Sequence, residues 1–176
     1  MEMLQQFALG DIEAFEALFR RHQDEIYSWI VCLVRNPAAA EDLTLETFWR
    51  IYRSHARFDP GRNFVSWARR IATNLAIGHL HRAGRETAAS EELLDALPGR
   101  TGPDSAEQHE RARAIRLAFA RLPAKLRAVA TLAIIEEKPY AEIATALGIS
   151  VPAVKSREFR AVRLLRKKLT EMGVEP

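Results

Sequence analysis

Residues 140–168 constrain the fold more than any other part of the chain, because their sequence predicts two helices joined by a tight turn. The first helix is predicted over residues 140–147, and Gly148 ends it because glycine readily takes the left-handed conformation of a helix terminus. Ser150 can cap a second helix, and Pro152 is tolerated in the first turn of that helix, where its missing N–H costs little. This pattern is typical of a helix-turn-helix.

The second of these helices has a mostly apolar side and a basic side. At about 100° per residue, the apolar side is made by Val154, Glu158, Ala161, Val162, Leu165 and Leu169. The opposite side is made by Pro152, Ser156, Phe159, Arg160, Arg163 and Lys167. Further positive charge comes from Lys155, Arg157, Arg166 and Lys168. A helix of this size fits the major groove and phosphates attract its cations, so the pattern favours DNA binding. Two ordinary antiparallel helices with a solvated basic face are the alternative.

Two residues of this helix stand out from their surroundings. Phe159 faces outward among the arginines, where its ring could touch a thymine methyl or a sugar. Packing of the ring on an adjacent helix is an equally acceptable interpretation. Glu158 lies on the apolar side, and we expect it to pair with a neighbouring arginine at the rim.

The composition sets broad limits on the class of protein. The chain has 176 residues, of which 48% are hydrophobic, so it can hold one or two small domains with a real core. Its single cysteine, Cys32, excludes an internal disulfide and fits a reducing cytoplasm. No signal peptide pattern and no apolar run long enough to cross a bilayer is present. We therefore expect a cytoplasmic protein that does not insert into membranes.

Charge divides the chain into three segments. Residues 1–83 carry ten Lys or Arg and ten Asp or Glu, and are therefore neutral. Residues 84–111 have a net charge of −4, and residues 112–176 have a net charge of +7. Because residues 84–111 also contain two prolines and three glycines, they predict a flexible acidic linker between two domains.

Helical periodicity runs through nearly all of the sequence outside this linker, which predicts an all-α fold of two small helical domains. Helices are predicted over residues 11–34, 39–53, 64–82, 111–121 and 123–136, with a loop over 58–63 and one short helix near 91–97. Two stripes are expected to face the core of the N-terminal bundle. They are made by Ile12, Phe15, Leu18 and Phe19 on one helix and by Leu45, Phe48, Trp49 and Tyr52 on the next.

Two polar surfaces of the N-terminal domain each have two interpretations. Glu41, Asp42 and Glu46 lie near the start of one helix, where carboxylates favour the helix dipole but could equally dock a basic protein. The helix over residues 64–82 surrounds an apolar stripe with arginine, asparagine and histidine. Such groups suit base edges and single strands, although a solvated helix has the same composition.

Residue spacing gives little support for an enzyme. His79 and His81 are two residues apart on a predicted helix and point in different directions, which is unfavourable for a shared metal. The sequence contains no recognisable nucleophile–base pair and no phosphate-binding loop. We therefore expect neither catalysis, nor a cofactor, nor a metal site.

Four motifs in order give the chain a resemblance to a known family. They begin with the helix around Phe15 and Phe19, followed by Ala-Glu-Asp-Leu and Glu-Thr-Phe at residues 40–48. Next come Phe64, Trp67 and Asn-Leu-Ala-Ile at residues 74–77, and last the helix-turn-helix with Val-Lys-Ser-Arg at 154–157. Together with the acidic linker, they resemble bacterial sigma factors of the extracytoplasmic-function type, which direct RNA polymerase to promoters. The resemblance covers almost the whole chain.

The resemblance implies a role for each surface. Core RNA polymerase would be bound by Glu41, Asp42, Leu45 and Glu46. The minus-ten promoter element would be recognised and melted by Arg62, Asn63, Trp67, Arg70, Asn74, His81 and Arg82. The minus-thirty-five element would be read by Pro152, Lys155, Ser156, Arg157, Phe159, Arg160 and Arg163. An anti-sigma factor is a further expected partner, and the protein would lie on the nucleoid when bound to polymerase.

Four positions depart from the family pattern. Leu45 replaces the usual glutamine and Gly78 replaces the usual aspartate, while Glu158 and Val162 replace usual apolar and basic residues. These departures concern the docking contacts and the promoter sequence rather than the class of protein. A helix-turn-helix regulator that does not join polymerase is the alternative function, since it needs the same C-terminal domain but no docking helix.

Overall fold

The structure is a computed structural model that describes residues 2–87 and 106–174. Its α-helices are α1 (Glu2–Ala8), α2 (Ile12–Val34), α3 (Pro37–Arg53), α4 (Phe64–Thr87), α5 (Ala106–Ala120), α6 (Ala124–Ala130), α7 (Tyr140–Leu147) and α8 (Val151–Glu171). A short 3₁₀ turn covers His55–Arg57 and a π-helical turn covers Thr131–Ile135. The described residues contain no strand, and the all-α prediction is confirmed.

The chain divides into two compact units. One contains Met1–Gly78 and Ala144–Ile149, and the other contains His79–Ile143 and Ser150–Pro176. The predicted short helix near residues 91–97 lies outside the described residues. Helices α4 and α5 extend into the predicted linker from either side. The domain limits at residues 83 and 112 stay a prediction.

Local capping explains where α2 and α3 begin and end. The Asp11 carboxylate accepts a hydrogen bond from the Ala14 amide at 2.8 Å, and Arg35 takes a left-handed conformation (φ 56°) at the other end of α2. Asn36 caps α3 by accepting from the Ala39 amide at 3.1 Å. Pro37 therefore occupies the first turn, and α3 begins two residues before the predicted start.

A cluster of aromatic rings organises the first unit around Phe7 of α1, a helix that was not predicted from the sequence. Phe7 is fully buried. Ring centroids lie between 5.7 and 6.4 Å from it for Phe15, His55, Phe58, Phe64 and Trp67. The cluster joins α1, α2, the 58–63 loop and the start of α4, and thereby fixes the loop that precedes α4.

A second set of contacts joins α2 to α4. Trp29 Nε1 donates a hydrogen bond to Thr73 Oγ1 at 2.9 Å, and Arg69 lies over the Trp29 ring at 4.6 Å. Arg69 also donates to Glu25 at 2.9 Å. Arg69 is therefore a structural residue, whereas its neighbour Arg70 is exposed.

The core of the second unit combines alanines with larger apolar side chains. This core contains Ala118, Leu122, Ala130, Ala161 and Leu165, and it brings α6 against α8. Alanines at such a contact allow helix axes to approach closely. Arg127 donates to the Ala120 and Leu80 carbonyls at 3.1 and 3.2 Å, and burial lowers the pKa of this guanidinium. The predicted single helix over 123–136 is instead α6 followed by the π-helical turn.

Three residues predicted to face the core are exposed, and those predictions are wrong. The exposed fractions are 51% for Ile12, 62% for Leu45 and 55% for Trp49. The buried face of α3 is set by positions 40, 43, 44, 47, 48 and 51. Leu45 and Trp49 are offset from that face by roughly one quarter of a turn or more, since each residue turns the helix by about 100°.

Candidate nucleic-acid and protein interfaces

The predicted turn between α7 and α8 is confirmed in its backbone details. Gly148 has a φ of +64°, and the Ile149 amide donates to the Ala144 carbonyl at 3.0 Å, which closes the end of α7. Ser150 is extended and its hydroxyl accepts a hydrogen bond from the Ala153 amide at 3.4 Å. Pro152 lies in the first turn of α8, as predicted.

The outer face of α8 carries most of the residues expected to touch DNA. Pro152, Lys155, Ser156, Phe159, Arg160 and Arg163 are exposed, and Arg157 is half-buried. Phe159 is 70% exposed, so its ring does not pack on an adjacent helix within residues 2–87 or 106–174, against the second interpretation. On the opposite side Val154, Ala161 and Leu165 are buried. The predicted division of α8 into an apolar side and a basic side is confirmed.

Polar contacts on α8 orient two of its residues. Arg160 Nη2 donates to Ser156 Oγ at 3.1 Å, one helical turn earlier. Because the guanidinium has five N–H donors, this contact leaves others for a ligand. Ser156 and Arg160 thus form one hydrogen-bonding group on the exposed face.

Glu158 pairs with a tyrosine, whereas the sequence predicted pairing with a neighbouring arginine. It accepts a hydrogen bond from Tyr140, and this bond, followed by the negative charge of Glu158 and then burial, raises the pKa of the phenol. Lys155 Nζ lies 5.7 Å from the centre of the Tyr140 ring. The Tyr140–Glu158 pair therefore links the start of α7 to α8, and it accounts for a carboxylate on the apolar side of α8.

The residues expected at the minus-ten element form a second polar surface in two groups. In the loop, Arg62 and Asn63 are exposed, and Asn63 caps α4 by accepting from the Ser66 amide at 2.9 Å. On α4, the exposed members are Arg70, Asn74, His81 and Arg82. Trp67 is half-buried, and its ring lies 4.9 Å from Phe58 in the aromatic cluster.

A cleft opens beside the loop. Its volume is about 290 Å³, and Arg62, Asn63 and Phe64 form one side of it. Arg21 and His22 of α2 and the side chains of Met3 and Leu4 from α1 complete the lining, with Leu18 and Val65. Apolar walls with a few converging polar groups suit a planar heterocyclic ligand. This cleft could not be predicted from helical periodicity, because α1, which lines it, has only seven residues.

The outer face of α3 has the opposite charge to that of α8. Glu41 and Asp42 are exposed, and Glu46 accepts a hydrogen bond from Arg50 Nε at 2.7 Å. Leu45 and Trp49 lie on the same face and are exposed as well. The face therefore combines carboxylates with a large apolar surface, which is a typical composition for a protein interface.

Two other kinds of site find no support in the described ranges. Residues 2–87 and 106–174 contain no group of three or more His, Cys, Asp or Glu side chains placed to hold a metal ion. Every helix in the same ranges is too short or too polar to cross a membrane.

Comparison with known protein families gives two matches in chain order. Sigma-70 region 2 matches residues 18–86, and Sigma-70 region 4 matches residues 112–165. The RNA polymerase sigma factor CarQ of Myxococcus xanthus is 33% identical over 172 residues, which are 98% of either chain. The ECF RNA polymerase sigma factor SigW of Bacillus subtilis is 32% identical over 182 residues, with 96% of either chain covered.

Solved structures with a similar fold cover most of the chain. CnrH, in its complex with the cytosolic domain of CnrY, has a TM-score of 0.60 and 26% identity to this chain, with 96% of either chain covered. The sigma factor RpoE from Bartonella quintana, solved with the anti-sigma factor NepR, has a TM-score of 0.56 at 21% identity over 89% of this chain and 96% of its own. The second likeness supports the fold.

Proposed function

This chain belongs to the extracytoplasmic-function RNA polymerase sigma factors, and from that membership we propose how three of its surfaces share promoter recognition. As a sigma factor, it binds core RNA polymerase and directs promoter-specific transcription initiation. The assignment of individual residues to each step is our proposal. The observation that carries it is the exposed basic face of α8, presented by a correctly capped helix-turn-helix.

The minus-thirty-five element is read by the outer face of α8. Arg160 and Ser156 supply hydrogen bonds to base edges, and Phe159 contacts a thymine methyl or a sugar. Lys155 and Arg163 neutralise phosphates and set the register of the helix on the duplex. Pro152 and Arg157 complete this surface.

The minus-ten element is melted and held by the loop over residues 58–63 and by α4. Arg70, Asn74, His81 and Arg82 bind the backbone and base edges along α4, while Arg62, Asn63 and the half-buried Trp67 act at the loop. The adjacent 290 Å³ cleft would take a base that leaves the stack. Capture of that base offsets the cost of opening the duplex.

Core polymerase is bound by the outer face of α3, through Glu41, Asp42, Leu45 and Glu46. Holding both DNA-binding domains on one enzyme raises the effective concentration of the second contact once the first has formed. We assign residues 1–83 to docking and the minus-ten element, residues 112–176 to the minus-thirty-five element, and residues 84–111 to the linker between them.

The remaining features follow from the same role. The chain makes and breaks no covalent bonds and needs no cofactor or metal, because polymerase carries out RNA synthesis. It works in the cytoplasm, on the nucleoid when polymerase holds it. CnrH is solved in complex with a separate protein chain, and we expect this chain to be held by a protein partner too, an anti-sigma factor.

Transcription with purified core polymerase on a randomised promoter library tests this proposal. We expect the chain to select templates with two conserved elements, and Arg160→Ala to relax selection at particular bases of the upstream element. A chain that binds DNA but never core polymerase would instead be an independent helix-turn-helix regulator. That outcome would overturn the proposal.

A further inference from the structure

We propose that Tyr140 is a positioning residue for DNA binding, whose ring holds the Lys155 ammonium at the edge of the exposed α8 face, where it meets a DNA phosphate. This inference rests on the proposed function, which assigns Lys155 to a phosphate of the minus-thirty-five element. It extends that surface from α8 to the first residue of α7. It also gives a role to Glu158, one of the positions that depart from the family pattern.

The first observation is the place of the Lys155 ammonium. Lys155 is exposed, and its Nζ lies 5.7 Å from the centre of the Tyr140 ring, within the range of a cation–π contact. The ring attracts the cation but offers it no lone pair. Lys155 therefore keeps its N–H donors for the oxygens of a phosphate.

The second observation is that Tyr140 is itself fixed at both ends. Its hydroxyl donates a hydrogen bond to Glu158, and this bond is the main reason why the pKa of the phenol is raised. Its backbone lies in the first turn of α7, where the Pro139 carbonyl accepts from the amides of residues 142 and 143 at 2.9 and 3.1 Å. Ile143, one turn further on, is fully buried. The ring thus has little freedom to move away from Lys155.

The third observation is that Glu158 does not pair with Lys155. The two residues are three positions apart on α8, so their side chains are neighbours and their charges attract each other. The other charged side chains close to them in sequence are Glu136, Glu137, Lys138, Glu142, Arg157 and Arg160. Within residues 2–87 and 106–174, neither Lys155 nor Glu158 forms an ion pair with any side chain. Because the Tyr140 hydroxyl takes up the carboxylate, the ammonium is not drawn away from the exposed face.

Placing the ammonium before DNA arrives favours binding. A free lysine side chain has many rotamers, and the loss of that freedom opposes each contact it makes. A cation that already lies at the edge of the face loses less. Arg163, the other residue assigned to phosphates, is exposed and has no ion pair or ring contact within the described ranges, so it serves as the unassisted comparison.

Binding of promoter DNA by the full-length chain on core polymerase, measured over a series of salt concentrations, tests the inference. Lys155→Ala should reduce the slope of the logarithm of affinity against the logarithm of salt concentration by about one. Tyr140→Leu removes no charge at neutral pH, yet it should reduce the same slope and weaken binding by about two- to fivefold. A slope equal to that of the wild type would overturn the inference.

Combining the substitutions shows whether Tyr140 acts through Lys155. Tyr140→Leu should have little further effect when Lys155→Ala is already present, because the cation that the ring positions is gone. Arg163→Ala is the matched control, since Arg163 lies eight residues after Lys155, about 12 Å along the axis of α8. The effects of Tyr140→Leu and Arg163→Ala should multiply. If Tyr140→Leu weakens binding by the same factor in both backgrounds, Tyr140 acts on DNA or on the fold by itself, and the inference is wrong.

Thermal unfolding of each variant checks that the fold is retained. Should Tyr140→Leu unfold the chain, Tyr140→Phe keeps the ring and frees Glu158 to attract Lys155, so we expect a smaller decrease in the same slope. An unchanged slope for Tyr140→Phe would then overturn the inference.

The same measurements separate this inference from the proposed function. If the wild-type chain gives polymerase no affinity for promoters, the proposed function is wrong. If Lys155→Ala leaves the slope unchanged, Lys155 does not contact phosphate and the inference fails with that assignment. If Lys155→Ala reduces the slope and Tyr140→Leu does not, the assignment of Lys155 stands and only the role of Tyr140 is wrong.

Discussion

Helices α3 and α8 are built alike and carry opposite charges. Each begins with a side-chain cap, Asn36 or Ser150, followed by a proline in the first turn. Each also exposes one large aromatic residue on its outer face, Trp49 or Phe159. On α3 the carboxylates Glu41 and Asp42 lie about two turns before the aromatic residue and Arg53 lies one turn after it, whereas on α8 the aromatic residue lies among cations. The same helical design therefore presents two surfaces of different charge, which we propose bind a protein partner through α3 and nucleic acid through α8.

The cores beneath the two helices differ as much as their charges. The first unit is organised around a fully buried aromatic ring, Phe7, whereas α6 and α8 pack through alanines such as Ala130 and Ala161. Aromatic rings give a large buried area from few residues, while alanines give close helix contacts that leave no room for larger side chains. The two units should thus respond differently to changes in side-chain volume.

The largest expected effect concerns this difference in cores. Phe7→Ala should lower the free energy of unfolding by about 3–5 kcal/mol, because it leaves a cavity among five surrounding rings. Ala161→Leu should cost about 1–3 kcal/mol for the opposite reason, since Ala161 is fully buried in the core and a larger side chain must displace its neighbours. Chemical denaturation of each full-length variant measures both. An unchanged free energy of unfolding for either variant would contradict the contrast between the two cores.

Charge reversal on the outer faces should give the next largest effect, and should separate the two functions. Asp42→Lys should weaken binding to core polymerase by about 2–5 kcal/mol, since it places a cation against a basic partner. Arg163→Glu should leave that affinity unchanged and weaken binding of the holoenzyme to promoter DNA. The comparison fails if Asp42→Lys affects promoter contacts while polymerase binding is intact.

Two residues on α8 are expected to contact different parts of the DNA, Arg160 a base edge and Lys155 a phosphate. Arg160→Ala should cost about 1–3 kcal/mol and relax selection at particular bases if the guanidinium reads a base edge. Lys155→Ala should weaken binding to all DNA sequences by the same factor. It should also reduce the slope of the logarithm of affinity against the logarithm of salt concentration by about one. Competition binding with single-base variants of the upstream element distinguishes the two. If Arg160→Ala weakened binding to every DNA sequence equally, Arg160 would contact phosphate and not a base edge.

The smallest expected effect concerns the Tyr140–Glu158 hydrogen bond. The pKa of Tyr140 is raised in the folded chain, chiefly by this bond, so the phenol binds its proton more tightly when folded. Its contribution to stability is then fully present below the ordinary tyrosine pKa of 10.0 and is lost as the pH rises through the folded value. Tyr140→Phe should therefore slightly destabilise the chain near neutral pH and reduce its sensitivity to alkaline pH. Denaturation curves from pH 7 to 11 measure this, and identical curves for both proteins would contradict it.

Features decided by neighbouring residues could be predicted from the sequence. The cap at Ser150, the left-handed Gly148 and the exposed side of α8 depend on local chemistry, and the structure confirms them. Contacts between distant residues could not be predicted. Glu158 is paired with a residue 18 positions earlier, and α1 has only seven residues, which are too few for a periodic signal.

The error at Trp49 has a different cause. The apolar residues of α3 form a band wider than one buried face, and periodicity alone does not say which edge of the band is covered. Phe48 and Ile51 are buried, so their edge of the band is the one that faces the core. Leu45 and Trp49 lie at the other edge and are exposed. A stripe that is too broad for its core therefore leaves apolar side chains exposed, and here they lie on the face of α3 to which we assign polymerase docking.

The central claim is that one chain joins polymerase through α3 and selects promoters through α8. Run-off transcription with core polymerase measures both at once, with wild type, Asp42→Lys and Arg160→Ala compared on a randomised promoter library. We predict selective initiation with wild type, no stimulation with Asp42→Lys, and initiation with altered upstream preference for Arg160→Ala. Transcripts that start at the same sites with and without the wild-type chain would contradict the account.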